Sequence, residues 1–332
     1  MAGETVFGRL RRISLTQEKI VFLIVIALFC VFSLSLKGFV SPGNLLTLVR
    51  SVATLGILGV GMAVLVIGRG IDLAIVAIYA MSAAWTLHLA DGGVSIPLAI
   101  LIGYLFALSA GIINGVLIAY VEIPALFATL GMASLVYGFA RYVLVPLYVV
   151  YMPASASGIS WIGSGFVFGV PMPILFFALV SLLGFVFLRF TKPGRLIYAL
   201  GDNFAAARIS GAPVRSIVVL QYAISATIAF LAGMITATAV ASMDTNVANS
   251  SLIYDIILVV VLGGIGLSGG RGGIRNVIAG TLLIGILLNG MTIMNIQYQL
   301  QNVIRSLILL IAIVIDSLLN PRDEQIDQQG DI

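Results

Sequence analysis

Gly264-Ile265-Gly266-Leu267-Ser268-Gly269 is the stretch that most invites a chemical reading, because glycines at that spacing let backbone amides approach a pyrophosphate. That use needs an acidic residue about 20 positions on for the ribose, and no Asp or Glu occurs between Asp255 and Asp316. Ser268 has the look of an intramembrane serine nucleophile, which requires a histidine base. His88 is the only histidine, and the spans derived below put it near the opposite face from Ser268. The lone histidine excludes an HExxH zinc site, and the single Cys30 excludes an internal disulfide or a cysteine metal cluster. Lys19, Lys37 and Lys192 are followed by Ile, Gly and Pro, so no phosphate loop ending in Lys-Ser or Lys-Thr exists. The expectation is a chain with no catalytic set, no metal and no bound cofactor. If it does driven work, ATP and Mg belong to a partner.

The remaining polar residues of interest stand in apolar surroundings. A carboxylate deep in a bilayer costs roughly 2.5–3.5 kcal/mol on insertion scales, so Asp72 needs a partner. Arg69, three residues earlier, is the simplest one. The pair is read either as a gate on a pathway or as a self-neutralised pair shaping a turn. Asn114 and Asn289 each precede a glycine and lie ten residues before Pro124 and Gln299, a faint internal echo. Each can line a pathway or hydrogen-bond across packed helices. Arg141 and Arg305 fall near the outer ends of spans, where long side chains snorkel toward phospholipid or an acidic partner. Asp244, with Asn246, Asn249 and Ser250, gives an outer connection a polar edge.

The elements that must position these groups are membrane helices. Hydrophobic residues make up 61% of the chain and charged ones 9%, with a mean hydropathy of +1.17, against a usual charged share of about a quarter in soluble domains. At roughly 20 apolar residues per crossing, ten spans are expected, near 20–36, 52–68, 73–90, 96–120, 124–145, 173–190, 216–241, 249–267, 276–294 and 303–319. They leave no stretch long enough for a soluble domain. Residues 1–332 therefore read as one membrane domain, with a segment 1–19, a loop 191–215 and a tail 320–332 on the cytoplasmic side. Thirteen of the 17 Lys and Arg residues then fall inside, and only Lys37, Arg50, Arg141 and Arg305 outside or within spans. The net charge of +4 is this asymmetry and points to no nucleic-acid partner. The apolar run after Arg11 and Arg12 lacks a small-x-small cleavage site and is expected to remain as an anchor.

Between the sixth and seventh spans lies Gly194 to Gly211, whose second half has the signals of a short capped helix. Asp202 or Asn203 can accept from the first-turn amides, Ala205, Ala206 and Ala207 propagate the helix, Gly211 supplies a left-handed exit and Pro213 blocks continuation. About eight residues of helix is marginal alone in water, so the segment is expected to dock on another protein.

Four separated stretches, in order, carry a family resemblance: Gly68-Arg69-Gly70-Ile71-Asp72-Leu73; Asn114-Gly115 through Ile123-Pro124 to Thr129-Leu130-Gly131; Gly194 to Gly211; and Val261-Leu262-Gly263-Gly264 through Gly269-Gly270-Arg271-Gly272 to Asn289-Gly290. Together they resemble the permease subunits of bacterial ribose-type sugar ABC importers. The resemblance implies a type II importer permease in the inner membrane, multi-pass and all-α, paired with a second copy or a paralogue. It also implies a periplasmic substrate-binding protein, cytoplasmic ATP-binding subunits and contact with membrane lipids. Residues 202 to 211 become the coupling helix, with Asp202, Asn203, Phe204, Ala205, Ala206, Arg208 and Gly211 as contacts. Arg141, Arg305 and Asp244 become candidate contacts for the binding protein, and Arg69, Asp72, Asn114 and Asn289 candidates for the pathway. This chain departs from its relatives in carrying Phe204 where they usually have an acid, and Arg69 and Ala74 where they read Gly-Gly-Ile-Asp-Leu-Ser. An ion-coupled carrier of a small polar solute is the alternative; such carriers bury titratable groups along the path, and Asp72 and Asp255 are nearly alone here.

Overall fold

The computed structural model describes residues 17–319; most of the expected 1–19 segment and the tail 320–332 lie outside the described residues. The long elements are α1 (Gln17–Ser35), α2 (Pro42–Ile67), α3 (Ile75–Asp91), α4 (Ile96–Ala119) and α5 (Ala125–Phe139), the last extended by a π turn at Ala140–Leu144. After a short α6 (Trp161–Ser164) come α7 (Met172–Phe190), α8 (Lys192–Asp202), α9 (Phe204–Ile209), α10 (Val214–Ala239), α11 (Leu252–Leu262), α12 (Ile274–Ile293) and α13 (Tyr298–Leu319). Six of these, α2, α4, α5 with its π turn, α7, α10 and α12, are long and apolar enough to cross a membrane. Helices α1, α3, α11 and α13 are apolar but shorter within the described residues. The architecture is all-helical apart from two small antiparallel pairs, β1 (Val149–Tyr151) with β4 (Ser242–Asp244) and β2 (Phe166–Val167) with β3 (Val170–Pro171).

Two expected boundaries are corrected. The span placed at 52–68 begins ten residues earlier, because Pro42 takes the first helical position and the Ser41 hydroxyl accepts from the Asn44 N–H at 3.4 Å. The span placed at 249–267 shrinks to the 11 residues of α11. Gly264 takes φ +98, outside helical geometry, so the chain turns there. Eleven residues rise about 16 Å, roughly half of a hydrocarbon core.

Helix α2 is the axis of the molecule. Its most apolar window is 83% buried, against 22–28% for α4, α5 and α7, which turn Leu101, Leu105, Phe127 and Leu183 outward. Packing against α2 come α10, α12, α7 and α11. Gly111 and Gly115 of α4 are in close contact with α10: a Cβ at Gly111 would lie 2.6 Å from the Tyr222 carbonyl oxygen, and one at Gly115 2.6 Å from Val219 Cα. Helices α4 and α10 thus meet backbone to backbone.

Candidate functional site

At one end of the bundle three connections converge on Arg69. Helix α2 closes with a Schellman pattern in which the Gly70 N–H donates to Leu65 O and the Arg69 N–H to Val66 O. The residue after the cap in that motif is left-handed and usually glycine; here it is Arg69, at φ +67. A side chain in that conformation costs roughly 1–2 kcal/mol. The guanidinium offsets it: Nε is shared between Gly201 O and Ser268 O, both at 2.8 Å, and Nη2 donates to Asp202 O at 3.1 Å. The Gly270 N–H donates to Ile67 O at 2.8 Å in the same junction. Gly201 is obligatory there, since a Cβ would stand 1.8 Å from Ile67 O.

Arg69 is therefore not the partner of Asp72, and the expected pair is corrected. The left-handed turn sends the arginine toward the carbonyl ends of neighbouring loops, while Asp72 folds inward and is fully buried. Its Oδ1 accepts from the Ala74 N–H at 2.9 Å, capping the entry to α3, and its Oδ2 accepts from the Ser225 hydroxyl of α10 at 3.1 Å. The Tyr222 hydroxyl donates to Ile71 O at 3.1 Å beside it. One short loop thus joins two networks, Arg69 facing α8 and Asp72 facing α10.

Over 202–211 the expected short helix is α9, and a further helix, α8, leads into it. Asp202 ends α8, and Asn203, at φ −152, breaks the chain direction and caps α9 through its Oδ1, which accepts from the Ala206 N–H at 2.9 Å. Asp202 is not the cap; it enters through its carbonyl, held by Arg69. Helix α9 has six residues and ends in a second Schellman pattern, the Ala212 N–H donating to Ala207 O and the Gly211 N–H to Arg208 O, with Gly211 at φ +80. Ala207 is buried beneath it and Ala205 half-buried, whereas Phe204, Ala206, Arg208 and Ile209 are exposed. Ile209 is 87% exposed at the far end of the helix from Phe204. Helix α8 is anchored separately: Thr191 Oγ1 accepts from the Gly194 N–H at 3.1 Å, and the Tyr198 hydroxyl donates to Gly272 O at 2.8 Å. Burial pushes the Tyr198 phenol above its ordinary pKa, so it remains a donor across the physiological range.

The other candidates separate. Asn114 is fully buried on α4 with neither amide atom hydrogen-bonded. Asn289 forms a reciprocal pair with Asn44 of α2, each amide donating to the other's oxygen at 2.9 Å, so the echo joins unlike environments. Arg141 stacks over the Tyr148 ring at 4.0 Å and donates to Val145 O. Asp244 is exposed on β4 and caps the following turn through the Asn246 N–H. Arg305 is not a free outward cation: its side chain is 7% exposed, and Nη1 donates to Asp255 Oδ2 of α11 at 2.5 Å. An acid 50 residues away neutralises it, so it has no need to reach the interface.

The described residues form a helical bundle with six candidate membrane spans and, at one end, a capped helix pair tied through Arg69 to the loops of the core. The chain belongs to the family described as branched-chain amino acid transport system / permease component, whose model matches residues 44–313. It is 34% identical over 299 residues to the ribose import permease protein RbsC of Bacillus subtilis, covering 89% of this chain and 91% of that one. It is 31% identical over 328 residues to the RbsC protein of Haemophilus influenzae, covering 97% and 99%. The galactofuranose transporter permease protein YtfT of Escherichia coli is 30% identical over 275 residues, covering 83% and 80%. No solved structure matches. The resemblance to ribose-type sugar ABC importer permeases thus holds across nearly the whole chain.

Ser225 and Tyr222 escaped the sequence reading, which gave Gly201 no role of its own and did not separate α8 from the helix that follows it. The signal for α8 was present as Thr191-Lys192-Pro193, a side-chain cap with proline in the first turn.

Proposed function

We propose that this chain is the membrane-spanning subunit of an ATP-driven importer in a bacterial inner membrane. It accepts a monosaccharide or similar small polar solute from a periplasmic binding protein and works as a dimer with a second copy or a paralogue. ATP and Mg are held by the partner ATPase. The observation that carries this reading is α9: a short helix with Phe204 and Ile209 exposed, capped by Asn203 and joined to the core where Arg69 holds the carbonyl of the preceding Asp202. Sugar-permease relatives support the solute class. Arg141 and Asp244, at the opposite end, remain the candidate contacts for the binding protein. Against an ion-coupled carrier stands the engagement of both interior acids, Asp72 by Ala74 and Ser225 and Asp255 by Arg305.

Ten crossings with both termini cytoplasmic fit how the connections group. Arg69 joins the loops around 69, 201 and 268, and Glu122 pairs with Arg215 at 3.1 Å. At the other end β1 pairs with β4, and Ser251 hydrogen-bonds Tyr298. In a Cys30→Ala background, cysteines at the exposed Ser157 and Ser210 are expected to react with an impermeant thiol reagent from outside and inside respectively. Labelling of both from one side defeats the topology.

The docking role is tested by Phe204→Asp. Burying a phenylalanine is worth roughly 1.5–3 kcal/mol, so copurification of the ATPase should weaken by about ten- to a hundredfold. Gly211→Val, strained at φ +80, should instead tilt α9 and separate ATP hydrolysis from uptake. Wild-type copurification and transport in both variants would reduce α9 to an ordinary surface loop.

A further inference from the structure

We infer that the chain carries a specific site for an anionic phospholipid headgroup between the ends of α7 and α12, beside α8. A cavity of about 450 Å³ opens there, lined by Arg189, Arg275, Tyr198, Phe185 and the Gly272–Gly273 backbone. That is a size suited to a small ligand. No acidic side chain lines it, and among the described residues neither arginine takes part in an ion pair or a side-chain hydrogen bond. Each guanidinium is poised by an aromatic ring instead, Arg189 6.0 Å from the Phe190 centroid and Arg275 6.0 Å from that of Phe185. The Tyr198 hydroxyl is already committed to Gly272 O, which leaves the two guanidiniums as the side-chain cations that meet the ligand. Helix α12 begins at this rim with no side-chain cap, adding the positive end of a helix dipole.

Two forked donors converging from different helices match the oxygens of a phosphodiester. The surroundings select the lipid over free phosphate. The outer face of α7 leading from the cavity is apolar and exposed at Leu182, Leu183, Val186 and Phe190, a track for acyl chains. Basic pockets between membrane helices on the cytoplasmic side bind anionic headgroups in this way. The inference rests on the orientation proposed above, which puts the end of α7 at the cytoplasmic leaflet; thiol labelling at Ser210 tests that independently.

The test uses the full chain in phosphatidylcholine nanodiscs titrated with phosphatidylglycerol, with retained lipid measured by mass spectrometry. The wild type should retain phosphatidylglycerol selectively. Arg189→Gln/Arg275→Gln should weaken that selectivity by about thirtyfold, as two interfacial cations imply; Arg195→Gln should keep most of it, and Arg189→Lys/Arg275→Lys only part, since an ammonium keeps the charge and loses the fork. Unchanged selectivity in the glutamine pair overturns the proposal. So does displacement of the lipid by equimolar inorganic phosphate, which would mark a free-phosphate site. Loss of ATPase copurification with lipid selectivity intact also overturns it, by assigning the arginines to docking.

Discussion

Arg305→Ala is expected to lower the stability of the chain by about 3–5 kcal/mol, the usual consequence of orphaning a buried charge. The Asp255 residue is 5% exposed, and its Oδ1 has no hydrogen-bond partner even in the intact protein. Removing the guanidinium leaves the whole carboxylate unsolvated between α11 and α13. Arg305→Met combined with Asp255→Leu should recover most of the loss, because an apolar pair of similar volume does not need the compensation. Thermal unfolding in detergent distinguishes the cases: the single variant should melt far below the double. Equal melting of the single variant and the wild type would show that the pair carries little. Deletion of a freely snorkelling arginine would cost almost nothing, so the size of the effect separates the two roles.

Arg69→Ala is expected to cost uptake more than assembly. The variant loses three contacts to the carbonyls of Gly201, Asp202 and Ser268. Hydrogen bonds from charged donors are worth about 1.5–3 kcal/mol each when desolvated. The exposure of Arg69 reduces the net to about 1–3 kcal/mol, and the alanine Cβ keeps the left-handed strain at φ +67. What changes is the join between α8–α9 and the loop that carries Asp72. Transport per assembled complex should fall by tenfold or more with ATP hydrolysis continuing, because α9 then moves without dragging the entry to α3. Arg69→Lys should rescue poorly, since an ammonium lacks the fork that meets separate carbonyls. Uptake per assembled complex equal to wild type in Arg69→Ala would reduce the clamp to a local support.

Much of this was legible in the residues, for identifiable reasons. Hydropathy marks apolar helices because the bilayer punishes every unpaired backbone group, and Asn203 and Gly211 announce the ends of α9 because caps are local chemistry. Partners distant in the chain were not legible. Asp72 meets Ser225, 153 residues away, and Arg305 meets Asp255, 50 away; neither spacing leaves a trace in a single sequence. Arg69 misled for a sharper reason. Three-residue spacing brings side chains together on a helix, but at φ +67 the chain has already left the helix, and its side chain points elsewhere. Helix α11 was overestimated because hydropathy continues through Gly263 and Ile265 after the helix has stopped.

The near-complete enclosure of α2 bears on how the molecule is made. In the finished fold it rarely meets lipid, so its sides are free in principle to carry polar groups paired with α10 or α12. It does so at Asn44 and Thr54, yet its most apolar stretch is comparable to those of the helices that face lipid. During synthesis α2 leaves the ribosome well over a hundred residues before α10 exists, and must partition sideways into bare acyl chains to wait. Its composition answers to that interval of solitude in the nascent membrane rather than to its final neighbours. A polar replacement harmless in the folded protein would then act by stalling membrane integration, with the damage appearing as missing chains instead of unstable ones.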